Sequence, residues 1–389
     1  LEAFSETLRS PKIFKVLGML QKKVLFVLWS GNLGGSEKHV LDLIRLLPRE
    51  EFLPSVCFLT EAMEMSTFLD EKKVPFFEVG MRSGIDVLRL PRLRPFLKRG
   101  NFDIIHEHGG NKFAIYAYRR YSPRSRTIFT IHNGELPSDY KKTRLFLELK
   151  KIKNFDRVLS VSDRISEAWR ECSHREIRTV ELGVELERFS GVSAYTPDGP
   201  LVSVSRLIPS KRIPLLVRLC APWLRRTGRT LRIAGEGPDR VNVEREIRTL
   251  GLESQVELSG FLPDVSAFLK GASAFVFASQ FESGPLVVRE AMACGLPAVL
   301  GGNGGYLGIF GAESRPLARK TNFCCRYCPP LLAFPLLRDL CAELAMSAAE
   351  RQEQAEYNRE VVLSDYSVGR MADDCEAVYS AVAAEHVGR

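Results

Sequence analysis

The sequence predicts an α/β protein of two doubly wound, Rossmann-like domains facing across a cleft. Three observations predict it. The chain has 389 residues, more than one ordinary core holds. Short apolar runs alternate with amphipathic stretches along both halves, as parallel strands with covering helices require. Between the halves, "VELGVELERFSGVSAYTPDGP" carries Gly191, Pro197, Gly199 and Pro200, which mark irregular chain. The expected division is residues 1–20 as an extension or fragment boundary, 21–190 and 201–365 as the two domains, 191–200 as their linker, and 366–389 as a C-terminal helix returning to the first domain.

The elements follow in order. The chain opens with Leu1, and Met19, just ahead of the first strand, reads as a natural start. "KVLFVLW" is a strand, "GNLGGS" a loop and "EKHVLDLIRLL" an amphipathic helix. "PSVCFL", "PFFEV", "DIIHEH", "RTIFTIH" and "RVLSVS" complete the strands of the first half. The second half repeats the pattern with "LVSVS", "LRIAG", "QVELSG", "AFVFAS" and "PAVLG". "SVGRMADDCEAVYSAVAAE" closes the chain as a helix, and no repeat of solenoid length occurs.

Composition narrows the class. A hydrophobic content of 45% is that of an ordinary soluble globular protein. No stretch of eighteen uninterrupted apolar residues occurs, and Lys15, Lys22 and Lys23 divide the most apolar segment near the start. A formal charge of +8 suits phosphorylated ligands or an anionic membrane surface. Nucleic acid is not expected, because zinc-finger spacing, RNP-like aromatics and a recognition helix are all missing. Most of the nine cysteines sit singly in apolar segments (Cys57, Cys220, Cys294, Cys341), which reads as packing in a reducing, cytoplasmic compartment. Cys324, Cys325 and Cys328 form a cluster whose role stays open among packing, a reactive thiol and a metal site lacking its fourth ligand.

Ligands of doubly wound sheets bind at the carboxyl ends of the strands, so four loops there carry the functional reading. In "SGNLGGSEKHV", Gly34 and Gly35 let backbone approach a ligand, and Ser36 can cap the helix; a tight turn that needs glycine explains them equally well. In "SRLIPSKR", Arg206 offers a planar fork for phosphate oxygens and Lys211 a point charge, with Arg212 an alternate for it. "AGEGPDR" reads as a structural turn. In "ESGPLVVREAMACG", Pro285 is expected at the first helical position and Gly295 just past the end. Leu286 and Val287 then keep first-turn N–H groups free for a phosphate. Glu282, at the helix mouth beside Gly284, repels phosphate but accepts from sugar hydroxyls beyond it. Glu290, over a turn deeper, either reaches a ribose diol or pairs with a neighbour such as Arg289.

These motifs, in this order, resemble the GT-B glycosyltransferases, specifically the large retaining group called glycosyltransferase family 4. The resemblance runs from about residue 23 to the C-terminal helix, and E-x7-E followed by "EAMACGLP" is its most specific part. It implies a retaining, metal-independent, hexosyltransferase-type enzyme of polysaccharide biosynthesis, with a nucleotide-diphosphate sugar as substrate and no cofactor or metal. The acceptor, a sugar, a glycan or a lipid-linked molecule, would belong to the first domain and the donor to the second. Glu282 would hold hydroxyls of the transferred sugar, Glu290 the ribose, and Arg206 with Lys211 the departing diphosphate. His132 in "TIHN" matches the histidine facing the reacting sugar, and Gly34 with Gly35 the mobile glycine loop. His106 and His108 in "IIHEH" carry no assigned role; at least one reads as buried and bonded to backbone.

Three departures from that pattern stand out: Leu182 before "GV" where asparagine is usual, "YLGIF" after "GGNGG" where proline–glutamate is usual, and the cysteine-rich segment. Two other readings stay open, a nucleotide-sugar 2-epimerase and a non-catalytic transferase-like subunit. The basic stretch Asp139–Phe155 places Leu145, Leu149 and Ile152 on one helical side. Either that helix is a solvated one packed on its domain, or Lys141, Lys142, Arg144, Lys150, Lys151 and Lys153 attach the protein peripherally to an anionic membrane.

Overall fold

A computed structural model describes residues 21–189, 196, 198–280, 282–302, 323–326 and 347–387. The chain divides into two units, the first comprising Leu1–His132, Leu136–Val180 and Met371–Arg389, the second Asn133–Glu135 and Glu181–Arg370. Most of the expected linker lies outside the described residues, as do Cys328, Cys341 and the segment after "GG" at 301–302.

The first unit holds a seven-stranded sheet of β1 (Lys22–Leu28), β2 (Phe52–Phe58), β3 (Phe76–Glu78), β4 (Ile104–Glu107), β5 (Arg126–Ile131), β6 (Arg157–Ser160) and β7 (Arg178–Thr179). Its order is β3-β2-β1-β4-β5-β6-β7, all parallel. Both faces are covered, so β1 is apolar throughout from Val24 to Leu28, each residue at 0% exposure. The chain winds outward from β1 to β3, then crosses back to start β4 on the other side of β1. That reversal opens a crevice at the carboxyl ends of β1 and β4.

The second unit repeats the plan with six strands, β8 (Leu201–Val204), β9 (Leu231–Ala234), β10 (Val256–Gly260), β11 (Ala274–Phe277), β12 (Ala298–Gly302) and β13 (Phe323–Arg326). The order β10-β9-β8-β11-β12-β13 puts its reversal between β8 and β11. Cores form on each face, with Leu216, Cys220 and Trp223 on one side and Val288, Met292 and Leu296 on the other. β13 is an addition to the sequence reading. Its four residues, "FCCR", hold no β-branched side chain, so the segment reads as a cysteine cluster rather than as a strand. Burial pushes the thiols of Cys220 and Cys294 up to about 12, leaving both as packing groups at neutral pH.

The helix Val368–Val387 begins in the second unit and from Met371 onward is grouped with the first. There Tyr379, fully buried, meets His106 through its hydroxyl at 2.7 Å from Nδ1. Among the described residues no helix is long and apolar enough to cross a membrane.

Candidate functional site

In the second unit the loops after β8 and β11 converge because those strands are neighbours. The first carries "SRLIPSKR". Arg206 is exposed just past β8, and Lys211 ends a short 3-10 turn, Pro209–Lys211. The second carries Glu282, and the Lys211 ammonium forms an ion pair with its carboxylate. Lys211 also stands 5.8 Å from the centre of the Phe277 ring, at the end of β11. Residues 71 positions apart thus meet at the sheet's reversal.

The helix that follows runs Leu286–Ala293. Pro285 is the residue before it rather than its first residue, because its ψ of 117° is extended; its carbonyl accepts from Val288 N–H at 3.1 Å. Leu286 and Val287 are half-buried in the first turn, where a helix supplies no acceptor for N–H groups. Gly284 precedes them with a φ of 135°, a region costly for any side chain. Gly295 ends the helix at φ 74°, donating to the Met292 carbonyl at 2.8 Å while Leu296 N–H reaches Ala291 at 3.0 Å. Glu290 is 6% exposed.

Arg289 does not pair with Glu290. Its side chain, fully buried, turns the other way to the Glu181 carboxylate and donates to the Leu182 carbonyl at 2.5 Å. Its guanidinium also lies 4.1 Å from the centre of the Tyr366 ring. Arg289 therefore fixes the rotation of the helix that carries Glu290, a role the sequence does not disclose.

The turn "AGEGPDR" is structural. Gly235 (φ 137°) and Gly237 (φ 153°) bring the backbone after β9 against Ser205–Leu207, where a Cβ on Gly235 would stand 1.8 Å from the Ser205 carbonyl oxygen. The glycines hold up the loop that presents Arg206.

In the first unit the corresponding loops carry histidine. His39 lies on the helix Gly35–Leu46 after β1, His108 just past β4 and His132 just past β5. His108 Nδ1 is 3.0 Å from His132 Nε2, and the His39 ring lies 4.9 Å from that of His108, centre to centre. His39 and His108 are buried, and His132 is half-buried. Burial, reinforced by the neighbouring imidazoles, holds His39 and His108 well below the ordinary histidine value; burial alone takes His132 down to about 3. His106 points elsewhere, to Thr130 Oγ1 at 2.7 Å and to Tyr379, so it is buried as expected but bonded to side chains rather than backbone.

The glycine loop sorts differently from the sequence reading. Gly34 precedes the helix in extended backbone and Gly35 begins it. Around Gly35 nothing lies within 4 Å of a built Cβ, whereas Gly31 would place one 1.7 Å from the Ala62 carbonyl oxygen. Gly31 is therefore the residue that packing forbids to change. Ser36 lies inside the first turn and donates to Glu37 Oε2 at 2.9 Å instead of capping the helix.

The basic helix spans Lys142–Asn154 and buries Ile152, with Leu145 and Leu149 packed beside it. Lys151 does not belong to its exposed face. It is buried, 2.5 Å from the Glu107 carboxylate and 3.9 Å from the centre of the Phe129 ring. Lys141, Lys142, Arg144, Lys150 and Lys153 are exposed, and Lys142, Phe146, Lys150 and Lys153 form one outward stripe, with Phe146 at 64% exposure.

Sequence reasoning named His132 and His108 separately and passed over His39. Three histidines, each directly after one of three strands or on the helix that follows, were the available signal; what brings them together is the adjacency of β1, β4 and β5. The site residues accordingly fall into two groups. His132 stands with His39 and His108 in the first unit, near the loop of Gly34 and Gly35, and Glu282 stands with Lys211 in the second, beside Gly284, Leu286 and Val287.

Residues 33–188 match the family described as Glycosyltransferase Family 4, and residues 189–322 match Glycosyl transferases group 1. The putative colanic acid biosynthesis glycosyltransferase WcaL of Escherichia coli is 31% identical over 208 residues, covering 49% of this chain and 50% of that protein. The N-acetyl-alpha-D-glucosaminyl L-malate synthase of Bacillus anthracis is 24% identical over 254 residues, 60% of this chain and 65% of that one. The matches therefore span half to two-thirds of those relatives' length. Among solved structures, Anabaena HepE in complex with UDP and glucose superposes with a TM-score of 0.76 at 18% identity, over 92% of this chain and 100% of that one. A glycosyltransferase from Rickettsia africae gives 0.75 at 16% identity, over 93% and 98%. Two doubly wound units, each with its loops gathered at a sheet reversal, and two family matches in tandem lead to one assignment: the chain belongs to the group 1, family 4 type of glycosyltransferases and has their GT-B fold.

Proposed function

We propose that the protein transfers a sugar from a nucleoside-diphosphate donor to a sugar, glycan or lipid-linked acceptor, with retention of the anomeric configuration and without a metal ion. The observation that carries this reading is the Lys211–Glu282 pair beside the first turn of the helix Leu286–Ala293. A cation, a carboxylate and N–H groups lacking helical acceptors meet there, which suits a ligand with a diphosphate at one end and hydroxyls at the other.

The chemistry follows from charge. As the bond between the sugar C1 and the diphosphate oxygen breaks, negative charge grows on the diphosphate and positive charge on the ring. Arg206 and Lys211, held by loops rather than recruited, stabilise the former. Lys211 leaves Glu282 for the diphosphate, and Glu282 then accepts from sugar hydroxyls. Glu290 binds the ribose. The acceptor oxygen bonds to C1 on the face the diphosphate leaves, and its proton passes to a diphosphate oxygen. His132, neutral at physiological pH, serves as a hydrogen-bonding group to the sugar rather than as a cation. Gly35, with open space around it, lets backbone come close to the substrate.

The test supplies purified, chelator-treated protein with a panel of nucleotide sugars and acceptors. UDP-sugars come first, since HepE was solved with UDP and with UDP-glucose. Nucleoside diphosphate release that depends on acceptor, with a product of unchanged anomeric configuration by NMR, is expected. Activity restored only by magnesium or manganese would reject the metal-free reading, and an inverted product would reject retention.

A further inference from the structure

The histidine cluster of the first unit has a chemistry that sugar transfer does not use. One ring nitrogen from each of His39, His108 and His132 lies within 4.8 Å of one from each of the others. Two buried rings keep a nitrogen without a hydrogen-bond partner, Nδ1 of His39 and Nε2 of His108. Leaving a buried polar atom unsatisfied costs on the order of 1–3 kcal/mol, so the open Nδ1 of His39 calls for an occupant. The other nitrogen of His39 already faces the Cys375 sulfur at 3.9 Å. The other nitrogen of His108 faces His132.

We propose that His39, His108 and His132 form a binding site for a divalent transition ion of the zinc class. Three imidazoles with one position left open are a common zinc arrangement. Nitrogens bound to one tetrahedral zinc at about 2.0–2.1 Å stand roughly 3.3 Å apart, and His108 Nδ1 and His132 Nε2 already stand 3.0 Å apart. Nitrogen donors select zinc, cobalt, nickel or copper over magnesium and calcium, which need oxygen. The strands fix the donors: His108 and His132 end neighbouring strands, and His39 is held on a helix buried along the same sheet. His132, half-buried, gives the ion its way in.

A consequence rests on the proposed function. An ion on His132 withholds that ring from the sugar, so zinc inhibits a transferase that needs no metal.

The experiment titrates tag-free, chelator-treated full-length protein with Co2+. One equivalent should bind with the visible absorption of a tetrahedral site, be displaced by Zn2+, and raise the thermal midpoint. His39→Ala and His108→Ala should each weaken binding roughly tenfold or more, while the exposed His174→Ala should not. Unchanged far-UV circular dichroism checks that each variant is folded. Absence of the absorption in folded wild-type protein would overturn the site, as would its persistence in both variants. Binding without inhibition would leave the site standing and reject instead the role of His132 in transfer.

Discussion

The two units are built on one plan, yet their sheet reversals carry opposite chemistry. At β1 and β4 the side chains are imidazoles, buried and held neutral. At β8 and β11 they are a lysine and a glutamate, half-buried and paired. The difference teaches how one fold divides a reaction that develops charge. In the proposed reaction the ionic groups would meet the diphosphate, and the neutral imidazoles would offer hydrogen bonds to a sugar.

The sharpest way to break this comparison is Glu282→Gln. The amide keeps size but loses the charge that holds Lys211 and, in the proposed reaction, accepts from the sugar. Turnover is expected to fall roughly 10²–10³-fold with the fold retained, since the carboxylate's hydrogen bonds matter most in the transition state. Steady-state kinetics beside an unfolding curve checks it, and wild-type turnover in a folded variant would refute the assignment. Glu290→Gln should show itself mainly in donor affinity.

Acid distinguishes the units next. His106 and His132 lie at about 3 in the folded protein against an ordinary 6.5, and His39 and His108 are also depressed. Unfolding therefore takes up protons that the folded rings refuse. Their contribution to stability is fully present above about pH 6.5 and is lost as pH falls from there toward about 3. Each ring contributes up to roughly 1.4 kcal/mol per pH unit within that window. Denaturant midpoints between pH 7 and 5 should drop, and His39→Gln should flatten the slope. A slope unchanged in the variant would contradict the buried neutral state.

A third comparison lies within one loop. Gly31→Ala forces a Cβ to 1.7 Å from the Ala62 carbonyl oxygen and should destabilise the first unit by about 2 kcal/mol or more. Gly35→Ala meets open space, so its stability should change by less than about 1 kcal/mol. If the loop closes on substrate, Gly35→Ala still raises KM. Thermal unfolding and kinetics of both variants separate packing from binding.

The smallest effect concerns the stripe of Lys142, Phe146, Lys150 and Lys153. Each basic residue near an anionic surface contributes about 1 kcal/mol, and salt weakens the attraction. Flotation with phosphatidylserine vesicles should lose binding on reversal of the three lysines, whereas Lys151, buried against Glu107, takes no part. Binding unaffected by the reversal would remove the membrane reading.

Local wording made much of this legible. Pro285 and Gly295 bracket a helix because one cannot begin elsewhere cheaply and the other alone accepts the left-handed turn. The alternation of strands and helices gave both sheets, apart from the two-residue β7 and from β13, whose cysteines carry no strand signal. What stayed hidden was adjacency. Nothing in sequence places β8 beside β11, so Lys211 and Glu282 could be named but their ion pair could not. Likewise Lys151 reads as one more exposed lysine until β4 supplies Glu107 beneath it. The partners of Arg289 stayed hidden for the same reason: they lie 107 and 108 positions away.

The contact between His106 and Tyr379 joins residues 273 positions apart within one unit. On a ribosome adding about 5–20 residues each second, β4 emerges many seconds before the helix that covers its histidine. The usual order, in which an N-terminal domain finishes before the next begins, is therefore closed to this chain. The first unit must wait, with His106 and His39 short of their last neighbours, until the second has been made. Its completion waits for Tyr379, so a chain released before that point would carry an unfinished first unit.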